Sequence, residues 1–394
     1  MKLLSLDITQ SAKLAQLFNV LLSIGTTFFL LKTCNLINPS SFSLKLSTLI
    51  FLGILPIYYK TFALFRGESF VVFFAILSAY YALLIFVKQI PKFSYAIILG
   101  IALGLAGLSR QWGLLLIPAI AIVMIVIALK VRQNIHKFIM AFVVSLVTII
   151  LICGWFYLTL HTHYGSITAI NRDPQPNFAF SNQPVDFYFG LGLNQLFTKP
   201  IRSAFPNELL PIFYSEIWGD YWCFFVVYGK DMRTDEWLSG PQIPQIPEKV
   251  PTPDWLLTNR DKMGKYLGRV NLIALFPTML ALIAICQGFV GSWRFMKKPE
   301  IDIKTGSQYL LTLLIAVSYI GYFWFLIMYP SPGKGDTIKA TYMLHTFPFV
   351  AILVGLTMHH INQNSPKFYR LLLIILGIIF LHNLPVFFTR YVMF

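Results

Sequence analysis

The charged residues that could do chemistry gather in four short clusters, each placed beside long apolar runs. The clusters read YYKTFALFRGES (58–69), SRQWG (109–113), WGDYW (218–222) and SPGKGDTIKATY (331–342). Lysine and arginine can bind an anion, and a carboxylate can accept a proton from a reacting hydroxyl group. The clusters therefore indicate an anion-binding site with a base near it.

Arg110 is the first candidate anion ligand. The apolar run before it has about 15 residues, or roughly 22 Å of helix, which is short for a hydrocarbon core of roughly 30 Å. We therefore expect either a thinned bilayer or an Arg110 that ends its helix in a water-filled cavity. The further candidates for this site are Arg66, Lys334, Lys339 and Tyr342. The alternative for such cations is a side chain that snorkels to the lipid headgroups, which is the interpretation favoured for Lys60.

Asp220 indicates a second kind of site, because it lies among three aromatic residues. Aromatic faces stack on the CH surfaces of sugars, and a carboxylate accepts hydrogen bonds from sugar hydroxyl groups. The candidate sugar- or acceptor-binding residues are Trp112, Trp218, Tyr221, Trp222 and His345. The alternatives are an aromatic belt at the membrane interface for the WGDYW cluster and simple packing for His345.

The composition predicts a membrane protein. Hydrophobic residues make up 57% of the 394 residues and charged residues only 12%, about half the share in a soluble domain. The net charge of +15 does not indicate nucleic acid, because the basic residues lie in short connectors and form no single patch. The four cysteines are far apart and fit no zinc or redox spacing.

Apolar runs long enough to cross a bilayer predict an all-α polytopic fold, since a backbone in lipid must satisfy its own hydrogen bonds. About ten spans are expected, over residues 14–32, 45–60, 68–88, 94–109, 112–129, 138–159, 268–290, 308–329, 340–358 and 370–389. They divide the chain into an N-terminal group of spans (1–159), a long segment (160–267) and a C-terminal group of spans (268–394). Gly100 and Gly104 form a GxxxG pair that predicts close helix packing.

The connectors predict the orientation in the membrane. One alternate set carries most of the lysine and arginine, and this set is expected on the cytoplasmic side. The clusters around Arg110 and Lys339 then face outward, as does the segment 160–267, which holds 11 of the 16 acidic residues. Ten spans place both termini outside, so we expect either that the N-terminal tail is translocated or that a helix upstream of this chain is missing.

The junctions RGE, SRQWGLLLIPA and KGDTIKATYMLHTFPF, taken in order along most of the chain, resemble those of GT-C-type membrane glycosyltransferases. The most similar group is the bacterial family 39 enzymes, which are relatives of the protein O-mannosyltransferases and of the lipid A aminoarabinose transferase. The resemblance implies a polyprenyl-phosphate sugar donor, with its phosphate bound by lysine and arginine at the extracytoplasmic face of a membrane, here a bacterial inner membrane. It also implies transfer of the sugar with inversion to a glycan, lipid or protein acceptor.

The chain departs from this family where the catalytic acid is expected. That acid usually follows the first helix, in an outer loop which has no counterpart here. The expectation is therefore either a shortened chain, or an inactive one, or a replacement base. The candidate bases are Glu68, Asp220 and Asp336. No cofactor is indicated with certainty, and a divalent metal stays open.

Two other functions remain open at this stage. A transporter or flippase for lipid-linked glycans would move its substrate without making a bond. An ion-coupled transporter normally carries ionisable groups near the midplane, whereas the interiors of the predicted spans contain no lysine, arginine or aspartate. A polymerase or ligase of lipid-linked glycans would also use arginines in its outer loops.

Overall fold

The structure is a computed structural model that describes residues 8–63, 66–132, 135–167, 174–200, 205–219, 254–331 and 337–388. Every regular element in these ranges is helical, and none of them is a strand. The α-helices are α1 Ile8–Ile37, α2 Phe42–Gly53, α3 Pro56–Ala63, α4 Gly67–Ala82, α5 Phe93–Ser109, α6 Leu116–Lys130, α7 Ile135–Ile149, α8 Trp155–Tyr164, α9 Val185–Phe189, α10 Leu193–Thr198, α11 Leu209–Trp218, α12 Asp254–Lys297, α13 Ile303–Met328, α14 Phe347–Asn364 and α15 Pro366–Phe388.

Short turns of other helix types extend several of these helices. A 3₁₀-helix over Gln111–Leu115 leads into α6, and another over Ala340–Thr346 leads into α14. A π-helical turn over Leu83–Val87 continues α4, and one over Ile150–Gly154 joins α7 to α8. Each of these turns therefore forms one continuous span with the helix or helices that it joins.

Among the described residues, eight helices are long and apolar enough to cross a membrane. They overlap eight of the ten predicted spans, and their bounds are 16–37, 67–87, 111–130, 135–164, 264–297, 303–328, 340–364 and 366–387. The all-helical, multi-pass character predicted from the sequence is confirmed. The count of about ten spans is not.

The other two predicted spans are helical but differ from simple crossings. The predicted span 45–60 is split into α2 and α3, which meet at an angle of 70°. Pro56 begins α3, and a proline disfavours helical geometry at the residue before it. The predicted span 94–109 is α5, which has 17 residues and is shorter than the other crossings.

The core of the bundle is built around α14. In the span that ends in this helix, 89% of the residues in its most apolar stretch are buried. In the spans that end in α8 and α15, the share is 28%. Its sequence FPFVAILVGLTM is apolar all round, which is typical of a helix surrounded by others. Helices α2, α12, α13 and α15 pack against it.

The predicted GxxxG contact is confirmed, and its partner is α7. A Cβ added to Gly100 would lie 2.6 Å from the carbonyl oxygen of Ser145, and one added to Gly104 would lie 2.7 Å from Cβ of Ile152. A side chain at either position would therefore push the two helices apart. The short length of α5 is thus combined with very close packing along one face.

Candidate active site

A salt bridge between Arg110 and Glu68 is the first feature of the site. Nη2 of Arg110 lies 3.0 Å from Oε1 and 3.1 Å from Oε2 of Glu68. Glu68 stands in the first turn of α4, where a negative charge is favoured by the helix dipole. Arg110 follows the last residue of α5, so the pair joins the start of one helix to the end of the next.

This junction requires a glycine. A Cβ added to Gly67 would lie 2.7 Å from the carbonyl oxygen of Ser109 and 3.0 Å from Nε of Arg110. In the RGE junction singled out from the sequence, the middle residue is therefore glycine because the end of α5 lies too close for a side chain. Arg66 precedes it as the N-cap residue of α4, and its carbonyl oxygen accepts a hydrogen bond of 2.9 Å from the hydroxyl of Ser69.

The two partners of the salt bridge differ in their access to water. The Glu68 side chain is 7% exposed, while the Arg110 side chain is 45% exposed. A guanidinium group has five N–H donors, and the carboxylate of Glu68 is contacted through only one of its nitrogens. The exposed part of Arg110 is therefore available to an anion while its charge stays oriented by Glu68.

An aromatic stack stands next to Arg110. The ring of Trp112 stacks on that of Tyr342, with centroids 4.9 Å apart and planes inclined by 28°, and it packs edge-on against Phe325 at 4.8 Å. The ammonium group of Lys339 lies 5.9 Å from the centroid of the Tyr342 ring. Three of the predicted site residues, Trp112, Lys339 and Tyr342, thus contact one another in series, and Arg110 is two residues before Trp112 in the chain.

The backbone that carries Lys339 is held by two side chains which the sequence did not single out. The Tyr322 hydroxyl accepts a hydrogen bond of 2.7 Å from the Lys339 amide and lies 3.5 Å from the carbonyl oxygen of Thr337. The carboxylate of Glu216 accepts a hydrogen bond from the Ala340 amide. Tyr322 belongs to α13 and Glu216 to α11, so two helices position this strip of backbone.

These residues lie at one end of the bundle. Helix α4 begins there, α5 and α13 end there, and the short helices before α6 and α14 begin there. The short helix Ala340–Thr346 packs against α3, α4, α11 and α13. The chain order of the helices therefore brings the described parts of the charged clusters together at one place.

Lys60 does not snorkel, and that prediction was wrong. Its side chain is only 6% exposed, and its ammonium group donates a hydrogen bond of 3.0 Å to the carbonyl oxygen of Gly219. The bond joins α3 to the end of α11. Lys60 therefore takes part in the internal structure of this end of the bundle.

Two predicted sugar-binding residues are buried. Trp218 is 2% exposed and belongs to the hydrophobic core. His345 is 1% exposed, and its Nε2 lies 2.9 Å from the hydroxyl oxygen of Ser318. Neither ring presents a face to a ligand in this conformation, in contrast to the half-buried Trp112 and Tyr342.

The remaining predicted site residues lie outside the residues that the structure describes. They are Asp220, Tyr221, Trp222, Lys334 and Asp336. In the part of the chain that is described, no group of three or more histidine, cysteine or acidic side chains could hold a metal ion. His161 and His163 are exposed at the end of α8.

Comparisons with known proteins give no match: no family model fits the chain, and no curated protein and no solved structure is significantly similar to it. What the fold defines is a multi-pass helical protein with cationic and aromatic side chains collected at one end of its bundle.

Proposed function

We propose that this chain is an integral-membrane glycosyltransferase that transfers a sugar from a polyprenyl-phosphate donor to an acceptor on the extracytoplasmic face. The observation that carries the proposal is the half-exposed Arg110, paired with Glu68 and followed two residues later by Trp112, which stacks on Tyr342. A donor of this kind has a lipid tail, an anionic phosphate and a sugar. The site offers an apolar bundle, cationic groups and aromatic rings, which suit these three parts.

Arg110 and Lys339 serve the phosphate in this proposal. When the bond between the anomeric carbon and the phosphate oxygen breaks, the electron pair and a negative charge stay on the polyprenyl phosphate. Cationic groups oriented before the reaction stabilise that charge more than flexible ones do. Glu68 orients the guanidinium of Arg110, and Tyr322 holds the backbone of Lys339.

The acceptor hydroxyl needs a base. Its oxygen attacks the anomeric carbon from the side opposite the phosphate, so the configuration is inverted, and a carboxylate takes its proton. Glu68 is a candidate within the described residues, and Asp220 and Asp336 are the candidates outside them. A general base contributes about 10²–10⁴-fold to the rate, so replacing the true base by its amide lowers kcat by that factor.

The aromatic rings have a separate role. Trp112 and Tyr342 are half-buried and stacked on one another, and Trp112 is two residues after Arg110. Aromatic faces suit the CH surfaces of a sugar ring. We assign these two residues to the sugar that leaves the phosphate held by Arg110 and Lys339.

The test is transfer in reconstituted vesicles. The purified chain is supplied with a panel of polyprenyl-phosphate hexoses and pentoses, radiolabelled in the sugar, and membrane extract as a source of acceptors. We expect label to move from the donor into a new product, and Arg110→Ala and Lys339→Ala to abolish this transfer. Arg370→Ala is the matched control, because Arg370 is an exposed arginine beyond the opposite end of α14.

Two outcomes contradict the proposal. If label crosses the vesicle membrane while still attached to its donor, the chain is a transporter. If both cation variants transfer at the wild-type rate, the assigned anion site is wrong. If transfer is observed, the amide variants Glu68→Gln, Asp220→Asn and Asp336→Asn identify the base. Only the variant that lacks the base should show the full decrease in kcat.

A further inference from the structure

The segment 174–200 is fastened along the last turn of α13. The amide of Gln175 donates a hydrogen bond of 2.8 Å to the carbonyl oxygen of Met328, and Nε2 of Gln183 donates one of 2.6 Å to that of Leu326. Nδ2 of Asn182 is 3.3 Å from the carbonyl oxygen of Ile327. A helix leaves its last carbonyl groups unpaired, so this segment caps the end of a helix that is long enough to cross a membrane.

Aromatic contacts place part of the segment beside α13, before the last turn of that helix. The rings of Phe180 and Tyr188 lie 6.5 Å and 6.2 Å from the ring of Phe323. Phe323 comes five residues before Met328, the last residue of α13, a rise of roughly 7 Å at 1.5 Å per residue. The two rings therefore lie beside the body of a candidate membrane span.

The outer side of this segment is strongly apolar. Val185 is 73% exposed and Phe189 is 78% exposed, and the two are one helical turn apart on α9. Phe178 and Phe180 are 47% and 62% exposed, while Phe187 on the inner side of α9 is fully buried. We call Phe178, Phe180, Val185 and Phe189 the α9 face. Exposed apolar surfaces of this kind mark contact sites for proteins or for membranes.

The α9 face continues the lipid-facing surface of α13. On that helix Ile320 is 69% exposed and Trp324 is 42% exposed, and they flank Phe323, which contacts the segment. Aromatic rings are favoured at the boundary between hydrocarbon and headgroups. Through the contact of Phe180 with Phe323, exposed apolar residues of a candidate membrane span are joined to the α9 face.

We propose that the α9 face is seated in the membrane leaflet at this end of the bundle, with lipid covering Phe180, Val185 and Phe189. The segment is then an interfacial element, in the manner of amphipathic helices that lie in the plane of the membrane surface. Asp186, which is exposed on α9 between the two outer residues, lies at the border with water. The proposal is independent of any catalytic activity.

The test is the accessibility of a nitroxide label to reagents that partition differently. Single cysteines are introduced as Val185→Cys, Phe189→Cys, Asp186→Cys and Ile320→Cys, after the four native cysteines have been replaced by alanine. The labelled proteins are reconstituted in phosphatidylcholine vesicles. Collisions with oxygen, which concentrates in lipid, are compared with collisions with a water-soluble nickel chelate. Val185 and Phe189 are mostly exposed, so their replacement removes little packing.

The expected result is that labels at 185 and 189 collide mainly with oxygen, as does the lipid-facing reference at 320, and that the balance shifts toward nickel at 186. Mainly nickel collisions at 185 and 189 overturn the proposal. So does a label that is immobile and shielded from both reagents, because protein then covers the face. Hydroxyl-radical footprinting of the unaltered chain in vesicles gives a second measurement, in which Phe180 and Phe189 should escape oxidation despite their exposure.

Discussion

Arg110 and Glu68 form an unequal salt bridge, in which a carboxylate that is 7% exposed is held 3.0 Å from a guanidinium group that is 45% exposed. The buried partner depends on the exposed one. A carboxylate out of water without a counter-charge is costly, whereas a half-exposed guanidinium group is solvated in any case. The salt bridge therefore orients Arg110 at a small cost in free energy. Loss of Arg110, in contrast, leaves the buried carboxylate of Glu68 without its counter-charge.

The first prediction follows from this dependence. Arg110→Ala should lower the free energy of unfolding by about 1–3 kcal/mol, between the values for exposed and for fully buried pairs. Adding Glu68→Gln should restore most of the loss, because it removes the stranded charge. Thermal unfolding of the purified variants in detergent measures both effects. Equal destabilisation in the single and double variants would show that the loss comes from packing.

A second prediction concerns the backbone of Lys339. Tyr322→Phe removes the hydroxyl group that accepts a hydrogen bond from the half-buried Lys339 amide, at a cost of about 1–3 kcal/mol. Hydrogen exchange at residues 337–346, followed by mass spectrometry, should become about tenfold faster or more. Tyr309→Phe is the control, because Tyr309 is buried on the same helix at its other end. Unchanged exchange in Tyr322→Phe would contradict the positioning role of Tyr322.

A third prediction uses the pH dependence of Glu208, which lies outside the candidate spans. Burial, and then the nearby charge of Asp186, raise the pKa of the Glu208 carboxyl above its usual 4.5. Its Oε2 is buried and finds no hydrogen-bond partner among the described residues. The folded chain therefore binds this proton more tightly than the unfolded chain, so the contribution of Glu208 is full below pH 4.5 and is lost as the pH rises through the raised pKa.

Glu208→Gln should accordingly raise the melting temperature at neutral pH, and the gain should vanish below the usual pKa of a glutamate. Asp186→Asn is expected to give a smaller gain over the same pH range, since it removes only the second cause of the shift. Melting curves recorded as a function of pH test both variants. A gain that persists unchanged in acid would mean that Glu208 acts through its shape and not through its charge.

The sequence predicted the helices well because apolar runs of this length have few other solutions in a membrane. It missed the break between α2 and α3, although Pro56 carried the signal. The residues on both sides of Pro56 are apolar, so hydropathy alone predicts one continuous span. A proline, however, disfavours helical geometry at the residue before it and is favoured at the start of a new helix.

Only some of the residues of the candidate site could be picked out from the sequence, for a related reason. Arg110, Trp112, Lys339 and Tyr342 stand out because charged and aromatic residues at the ends of apolar runs are conspicuous. Glu216 was not singled out, because its role depends on the amide of Ala340, which is 124 residues away in sequence. Such a contact depends on how helices are arranged in space, and no local pattern records it.

The last prediction concerns the close contact between α5 and α7, since Arg110 directly follows α5. A Cβ at Gly100 would lie 2.5 Å from Cβ of Thr148 and 2.6 Å from a backbone oxygen, neither of which can move aside. Gly100→Ala should therefore destabilise the bundle by about 1–3 kcal/mol, the usual cost of overpacking.

Gly377→Ala is the matched control within a helix, since nothing lies within 4 Å of its added Cβ. Alanine there should be neutral or stabilising because it favours helix more than glycine does. Thermal unfolding in detergent compares the two variants, and equal melting temperatures would mean that α5 and α7 can separate at no cost.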